Sequence, residues 1–152
     1  MERTSEKPTD DDVRIPLPAL LGETVARFAS EFDRRLAGSE FPDLSLAHSR
    51  NVLRHLGAGP RRASSLVAAS GVTKQALSQQ IAHLDANGFL SAEPDPSDHR
   101  ARLLTLTDKG VRAQALVWRY FIEIEESWGE TLGCDEMASL RRVLTALVKS
   151  SC

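Results

Sequence analysis

The chain has only two cysteines among its 152 residues, Cys134 and Cys152, with no short spacing between them. That excludes a disulfide framework and a cysteine knuckle for zinc. A reducing cytoplasm is the expected compartment. Aromatic residues make up 5% of the chain. No apolar run approaches the roughly 20 residues needed to cross a bilayer, so no membrane partner is expected. An excess of basic charge is missing as well: 19 Lys and Arg stand against 21 Asp and Glu. Any attraction to phosphate must therefore come from placement rather than bulk charge. There is no nucleophile elbow, phosphate loop or metal-binding helix motif, and the four histidines are scattered. These absences argue against an enzyme and against a bound cofactor or metal.

What is present is an ordinary globular composition, 41% hydrophobic and 26% charged, at a length suited to one domain with an extension. Residues 1–15 are polar, include Asp10, Asp11 and Asp12, carry no secretory pattern and are expected to be disordered. Helical stripes follow. Leu21, Val25, Phe28, Phe32 and Leu36 step by four or three, and Gly38 and Pro42 close that helix. Ser45 is placed to cap a second helix holding Leu46, Val52, Leu53 and Leu56. A short helix near Ser64–Ser70 leads through Gly71 to another capped by Thr73, with Leu77, Ile81 and Leu84 on one face. Asn87-Gly88 ends it. Phe89 and Leu90 open a strand running to Glu93, and Arg102 to Leu106 return after a turn-rich loop. Thr107 caps a long helix to about Trp128, where Gly129 and Gly133 break it. Met137, Leu140, Leu144 and Leu147 stripe the last helix.

Two helices joined by a tight turn, the second with a polar outer face, suit docking in a DNA major groove. That face is read as Thr73, Lys74, Gln75, Ser78, Gln79 and His83. Gln bonds adenine bidentately, Ser suits several base edges, and Lys74 is placed for phosphate at the helix N-terminus. No acid on that face repels the backbone. Any surface helix shows a polar face; the crowding of glutamine is what distinguishes this one. In the loop Pro94–Ala101, Asp98 and Arg100 point the same way on an extended arm. The carboxylate is expected to hold the guanidinium, and Arg fits a narrow minor groove. A plain surface ion pair is the bland alternative. Arg62 is expected at a phosphate. Apolar stripes on the terminal helices exceed what a small winged unit covers, and a second copy of the chain is the expected partner.

The segment from Asp95 to Gly110 resembles the wing signature of the MarR family of bacterial winged-helix regulators. Asp95, Pro96, Asp98 and Arg100 fit its Asp-Pro-x-Asp-x-Arg pattern, and Leu106, Thr107 and Gly110 fit its Leu-Thr-x-x-Gly pattern. The run GVTKQALSQQIAHLDANGFL looks like the family's recognition helix, and the close match covers Leu66 to Gly110. The resemblance implies a mostly α fold with a small β-hairpin wing (α+β). It also implies a winged helix-turn-helix over about 45–110 and dimerisation helices at about 19–37 and 108–150, within a domain spanning 16–152. It implies a homodimer that binds a pseudo-palindromic double-stranded DNA operator, usually as a repressor. Thr73, Lys74, Gln75, Ser78 and Gln79 become the reader, Arg100 the wing tip and Asp98 its support. Gln79 departs from the Arg or Lys of many members. A small-molecule effector is implied too, and His48, Asn51 and His55, at i, i+3 and i+7 on the second helix, are placed beside its cavity. Two other readings stay open. One is a redox- or metal-responsive regulator using Cys134, His48 or His55; the other is a winged helix serving protein interaction. Trp118, Tyr120, Phe121 and Trp128 are assigned to dimer and hinge packing.

Overall fold

The computed structural model describes residues 15–150, so the acidic tail, but for Ile15, and Cys152 lie outside the described residues. The order is α1 (Leu17–Ala37), α2 (Leu46–Asn51), a 3-10 turn (Leu53–His55), β1 (Arg61–Arg62), α3 (Ala63–Ser70) and α4 (Lys74–Ala86). Then come β2 (Leu90–Asp95), β3 (Asp98–Leu106), α5 (Asp108–Leu132) and α6 (Cys134–Lys149). The fold is mostly helical with a small antiparallel sheet ordered β1-β3-β2.

Local chemistry sets the boundaries. Pro18 sits in the first turn of α1, where its missing N–H costs nothing. Thr73 Oγ1 accepts from the Ala76 N–H at 3.2 Å and starts α4. Thr107 Oγ1 accepts from the Gly110 N–H at 3.1 Å and starts α5. Gly71 takes a left-handed φ of 71° between α3 and α4, a turn that a side chain would strain.

The core lies where α1, α2, α3, α4 and the sheet meet α5. Phe32, Leu36, Leu53, Leu66, Leu77, Leu84, Phe89 and Leu104 are fully enclosed. Phe28, Phe32, Tyr120, Phe121 and Trp128 form an aromatic seam between α1 and α5, with Phe32 stacked on Phe121 at 4.9 Å. α1, α5 and α6 are stitched by Arg35 donating to Glu123 at 2.8 Å and by an Arg141–Glu125 pair joining α6 to α5. The outer faces of α1 and α6 are bare. Leu17 is 63% exposed, Leu147 61% and Val148 86%, and α6 has no buried residue.

Three expectations are corrected, and one element is added. The second helix stops at Asn51, because Val52 leaves helical geometry (φ −124°, ψ −66°) and the chain re-enters as a 3-10 turn. Gly129 does not break α5; it is buried within it, and Gly133 at φ 112° makes the break. The loop Pro94–Ala101 is mostly strand, since β2 and β3 pair out to Asp95 and Asp98 across a bulge at Pro94/Asp95. A third strand, β1, pairs Arg61 with Leu104 and Arg62 with Leu103.

Candidate nucleic-acid interface

The α4 helix exposes Thr73, Lys74, Gln75, Ser78 and Gln79 while burying Leu77 and Leu84. The side chains of Lys74, Gln75, Ser78 and Gln79 make no hydrogen bond among the described residues. Thr73 has spent its hydroxyl lone pair on the helix cap. The face thus offers amide, hydroxyl and ammonium groups, with no carboxylate among them.

His83 does not share this face. Its ring is half-buried, its Nε2 lies 2.7 Å from the Asp43 carbonyl, and it stacks on His48. Gln80, one turn earlier, accepts from Asn51 Nδ2 at 3.2 Å. Both side chains are turned toward α2 and the loop before it, because a polar group at the rim of a buried face is satisfied there.

The wing is a hairpin closed at Pro96–Ser97. Its turn carries a clamp that no local sequence signal announces. Arg62 Nε donates to Asp95 Oδ2 at 2.7 Å, and an Arg62 guanidinium nitrogen donates to Ser97 Oγ at 3.1 Å. Asp95 Oδ1 accepts from the Ser97 amide at 2.8 Å and its hydroxyl at 2.7 Å. Arg62, expected at a phosphate, bonds the wing's turn through two of its nitrogens and stays part-exposed. Asp98 is corrected similarly: its Oδ1 accepts the backbone N–H of Arg100 at 3.1 Å and does not hold the guanidinium. The short side chain fixes the strand start, and the Arg100 side chain stands exposed without a partner among the described residues. Arg102 is tied to the Ala92 carbonyl at 2.6 Å.

The Ser97 amide and hydroxyl, followed by the Arg62 cation, hold the Asp95 carboxyl at about 2 against the opposing effect of burial. A depressed carboxyl stabilises the fold above its ordinary 3.8 and loses that contribution as pH falls toward 2. Thermal melts of Asp95→Asn between pH 5 and 2.5 should therefore fall less steeply than those of the wild type. Parallel slopes would remove this carboxylate from acid stability.

The residues His48, Asn51 and His55 do not share a helix face, because the break at Val52 separates His55 from the other two. His48 is part of the α2 cap and Asn51 bonds Gln80. Burial, then the charges of Arg54 and Arg61, lowers the His55 pKa. A hollow of about 410 Å³ opens nearby instead, lined by Arg54, Gly57, Val111, Gln114, Trp118 and Phe121 among others. No group of three or more potential metal ligands occurs among the described residues. Among these residues, too, no helix is long and apolar enough to cross a membrane.

Two helices joined at Gly71, an outward polar helix and a clamped hairpin define a winged helix-turn-helix protein. Residues 43–101 match the model of the MarR family. The fold is similar to that of the transcriptional repressor CouR bound to a 23-mer DNA duplex, at 26% identity and a TM-score of 0.75, covering 88% of this chain and 93% of that one. It is also similar to the reduced form of MarR from E. coli (20% identity, TM-score 0.79, covering 90% and 98%). Streptococcus pneumoniae FabT in complex with DNA matches too, at 22% identity and a TM-score of 0.71, covering 88% and 93%. No curated protein matches by sequence. Residues 43–101 thus carry the MarR family's match, on a fold shared with winged-helix regulators of that family.

Proposed function

We propose that this chain is a homodimeric repressor that grips a pseudo-palindromic operator and lets go when a small effector binds. The observation that carries the reading is a set of uncommitted groups. Lys74, Gln75, Ser78 and Gln79 on α4 and Arg100 on the wing are exposed and free of side-chain partners among the described residues. Gln75, Ser78 and Gln79 would read base edges in the major groove, Lys74 would meet phosphate, and Arg100 would enter the minor groove. The structures of CouR on a 23-mer duplex and of FabT with DNA support duplex DNA as the partner.

Residues 45–110 form the reading unit in this proposal, and α1, α5 and α6 the dimer stem, working in the cytoplasm. A hollow of about 290 Å³ between α1 and α6, lined by Thr24, Phe28, Trp128, Met137, Leu140 and Leu144 among others, supports a partner's side chains filling the stem. The cleft beside Arg54 and Trp118 supports a small aromatic anion as effector, with a guanidinium for its charge and an indole for its ring.

Selection of bound duplexes from random DNA, followed by footprinting, tests the reading. Arg100→Ala should then weaken binding to the selected duplex roughly tenfold or more, where each factor of ten is about 1.4 kcal/mol. The thermal midpoint should not move. Unchanged affinity at matched salt would remove the wing contact, and no protected bases on any fragment would remove DNA binding altogether.

A further inference from the structure

We infer that the stacked His48 and His83 rings form a proton-sensitive tether that orients α4, so that DNA affinity falls as the solution turns acidic. This rests on the DNA-binding reading above and adds a positioning residue, His83, and a regulating condition to it.

The two rings are parallel within 4° and their centroids lie 4.5 Å apart. One belongs to the first turn of α2 and the other to the last turns of α4. The bonds they make define their protonation. Ser45 N–H can only donate, and it points at His48 Nδ1 at 3.2 Å. Ser45 Oγ lies 3.1 Å from the same nitrogen, and the N-cap bond is made in the tautomer with Nδ1 bare and the proton on Nε2. In return, Ser45 Oγ accepts from the His48 N–H at 3.4 Å, a reciprocal cap on α2. On the other ring, the Asp43 carbonyl can only accept, so His83 Nε2 carries hydrogen.

A proton added to His48 Nδ1 would face the Ser45 N–H donor to donor and leave that nitrogen only Ser45 Oγ to bond, so the reciprocal cap is lost. If His83 were also charged, two cations would be stacked face to face. Burial, and then the charge of His83, keep the His48 pKa below its ordinary value, while Asp33 from α1 pulls the other way. Asp33 is partly spent, since its Oδ1 accepts the Leu46 N–H at 2.7 Å. Asp43 in the preceding loop engages the pair through its backbone carbonyl. Arg50 on α2 and Asp85 on α4 are exposed, two residues beyond their respective histidines.

His83 shares one edge of α4 with Gln80, which Asn51 holds. The helix is thus fastened to α2 at two points, one of which titrates. Loosening that point lets the C-terminal half of α4 pivot about the Asn51–Gln80 bond and shifts Gln75, Ser78 and Gln79 against a groove.

The sign separates this from bulk charge. Protonating His55 and His99 makes the protein more positive, and more positive charge strengthens phosphate binding as pH falls. The tether predicts the reverse. Fluorescence anisotropy on the selected duplex, at fixed ionic strength, should show affinity falling a few-fold between pH 8 and 5.5, as about one pK unit of coupling gives for a group that titrates below 6.5. His48→Gln keeps an acceptor for the N-cap N–H but cannot titrate. It should bind like the wild type at pH 8 and show no loss at pH 5.5. His99→Asn should retain the loss.

A second readout needs no DNA. Ring NMR titration of the free protein should show the His83 curve move in His48→Gln. Equal pH profiles for wild type and His48→Gln, or an unmoved His83 curve, would overturn the tether. A moved curve with no duplex bound at any pH would keep the coupling and sink the DNA-binding reading on which its consequence rests.

Discussion

Leu144→Glu is expected to convert the proposed dimer into monomers at micromolar concentration and to lower affinity for the proposed operator roughly 100-fold, by removing the second of two linked readers. The argument begins with α6, whose Leu140, Val143, Leu144, Leu147 and Val148 are all exposed in the single chain. Leu17, Leu20, Leu21 and Val25 repeat the pattern on the first half of α1. Apolar surface on this scale, contiguous along two helices, costs solubility unless another molecule covers it. Leu144 is 37% exposed and lines the hollow between α1 and α6, so a glutamate there reaches water in a monomer. In a dimer it would be a buried, unpaired charge, which is strongly unfavourable. The substitution should thus spare the fold and strike only the association. Ser139→Glu adds the same charge to an exposed polar position of α6 and should leave the dimer intact. Sedimentation velocity reads both. Dimers in Leu144→Glu, or monomers in the wild type, would defeat the proposed stem.

The parts of this fold visible in the sequence are those governed by local rules. The i, i+4, i+7 spacing of Leu77, Ile81 and Leu84 needs no knowledge of distant residues, and neither do the caps at Thr73 and Thr107. The failures share a different cause. His83 and Gln80 sit at the edge of the helical wheel, where polarity alone does not say whether water or protein satisfies the group. Their partners, Asp43 and Asn51, lie 40 and 29 residues away. Arg62 finds Asp95 across 33 residues, and only the pairing of β1 with β3 brings them together. A two-residue strand after Pro60 has no period to detect. The second helix ends sooner than its apolar residues suggest, because Val52, Leu53 and Leu56 are all buried whether or not the chain stays helical, so their apolar character carries no helical phase. In the candidate site, the residues facing water stayed where periodicity placed them, while those facing protein were reassigned. Tertiary partners decide the second group.

Gly110→Ala is expected to cost about 3 kcal/mol and to lower Tm by roughly 10 °C, a large effect for one methyl group. Gly110 is buried in the first turn of α5, against the Phe89 backbone that links α4 to β2. A Cβ built there would overlap the backbone carbonyl oxygen of Phe89 and press on the Leu106 side chain at 3.1 Å. That carbonyl has little freedom to retreat, because it accepts from the Thr107 N–H at 3.1 Å. Phe89 itself is fully enclosed, packed against Phe41 at 5.7 Å, and its N–H is tied to the Leu84 carbonyl at 2.9 Å. Thr107, which caps α5 with one lone pair, also donates its hydroxyl to the Gly88 carbonyl at 2.6 Å. One knot thus joins the end of α4, the start of β2, the end of β3 and the start of α5. The glycine in Leu-Thr-x-x-Gly is there for close approach between backbones, not for contact with a ligand or for turn geometry. Gly38→Ala makes the contrast, since its added carbon meets only the Arg35 carbonyl at an ordinary 3.8 Å. It should change Tm little. If Gly110→Ala melts with the wild type, the knot is looser than drawn, and α5 can slide over the wing base without unfolding it.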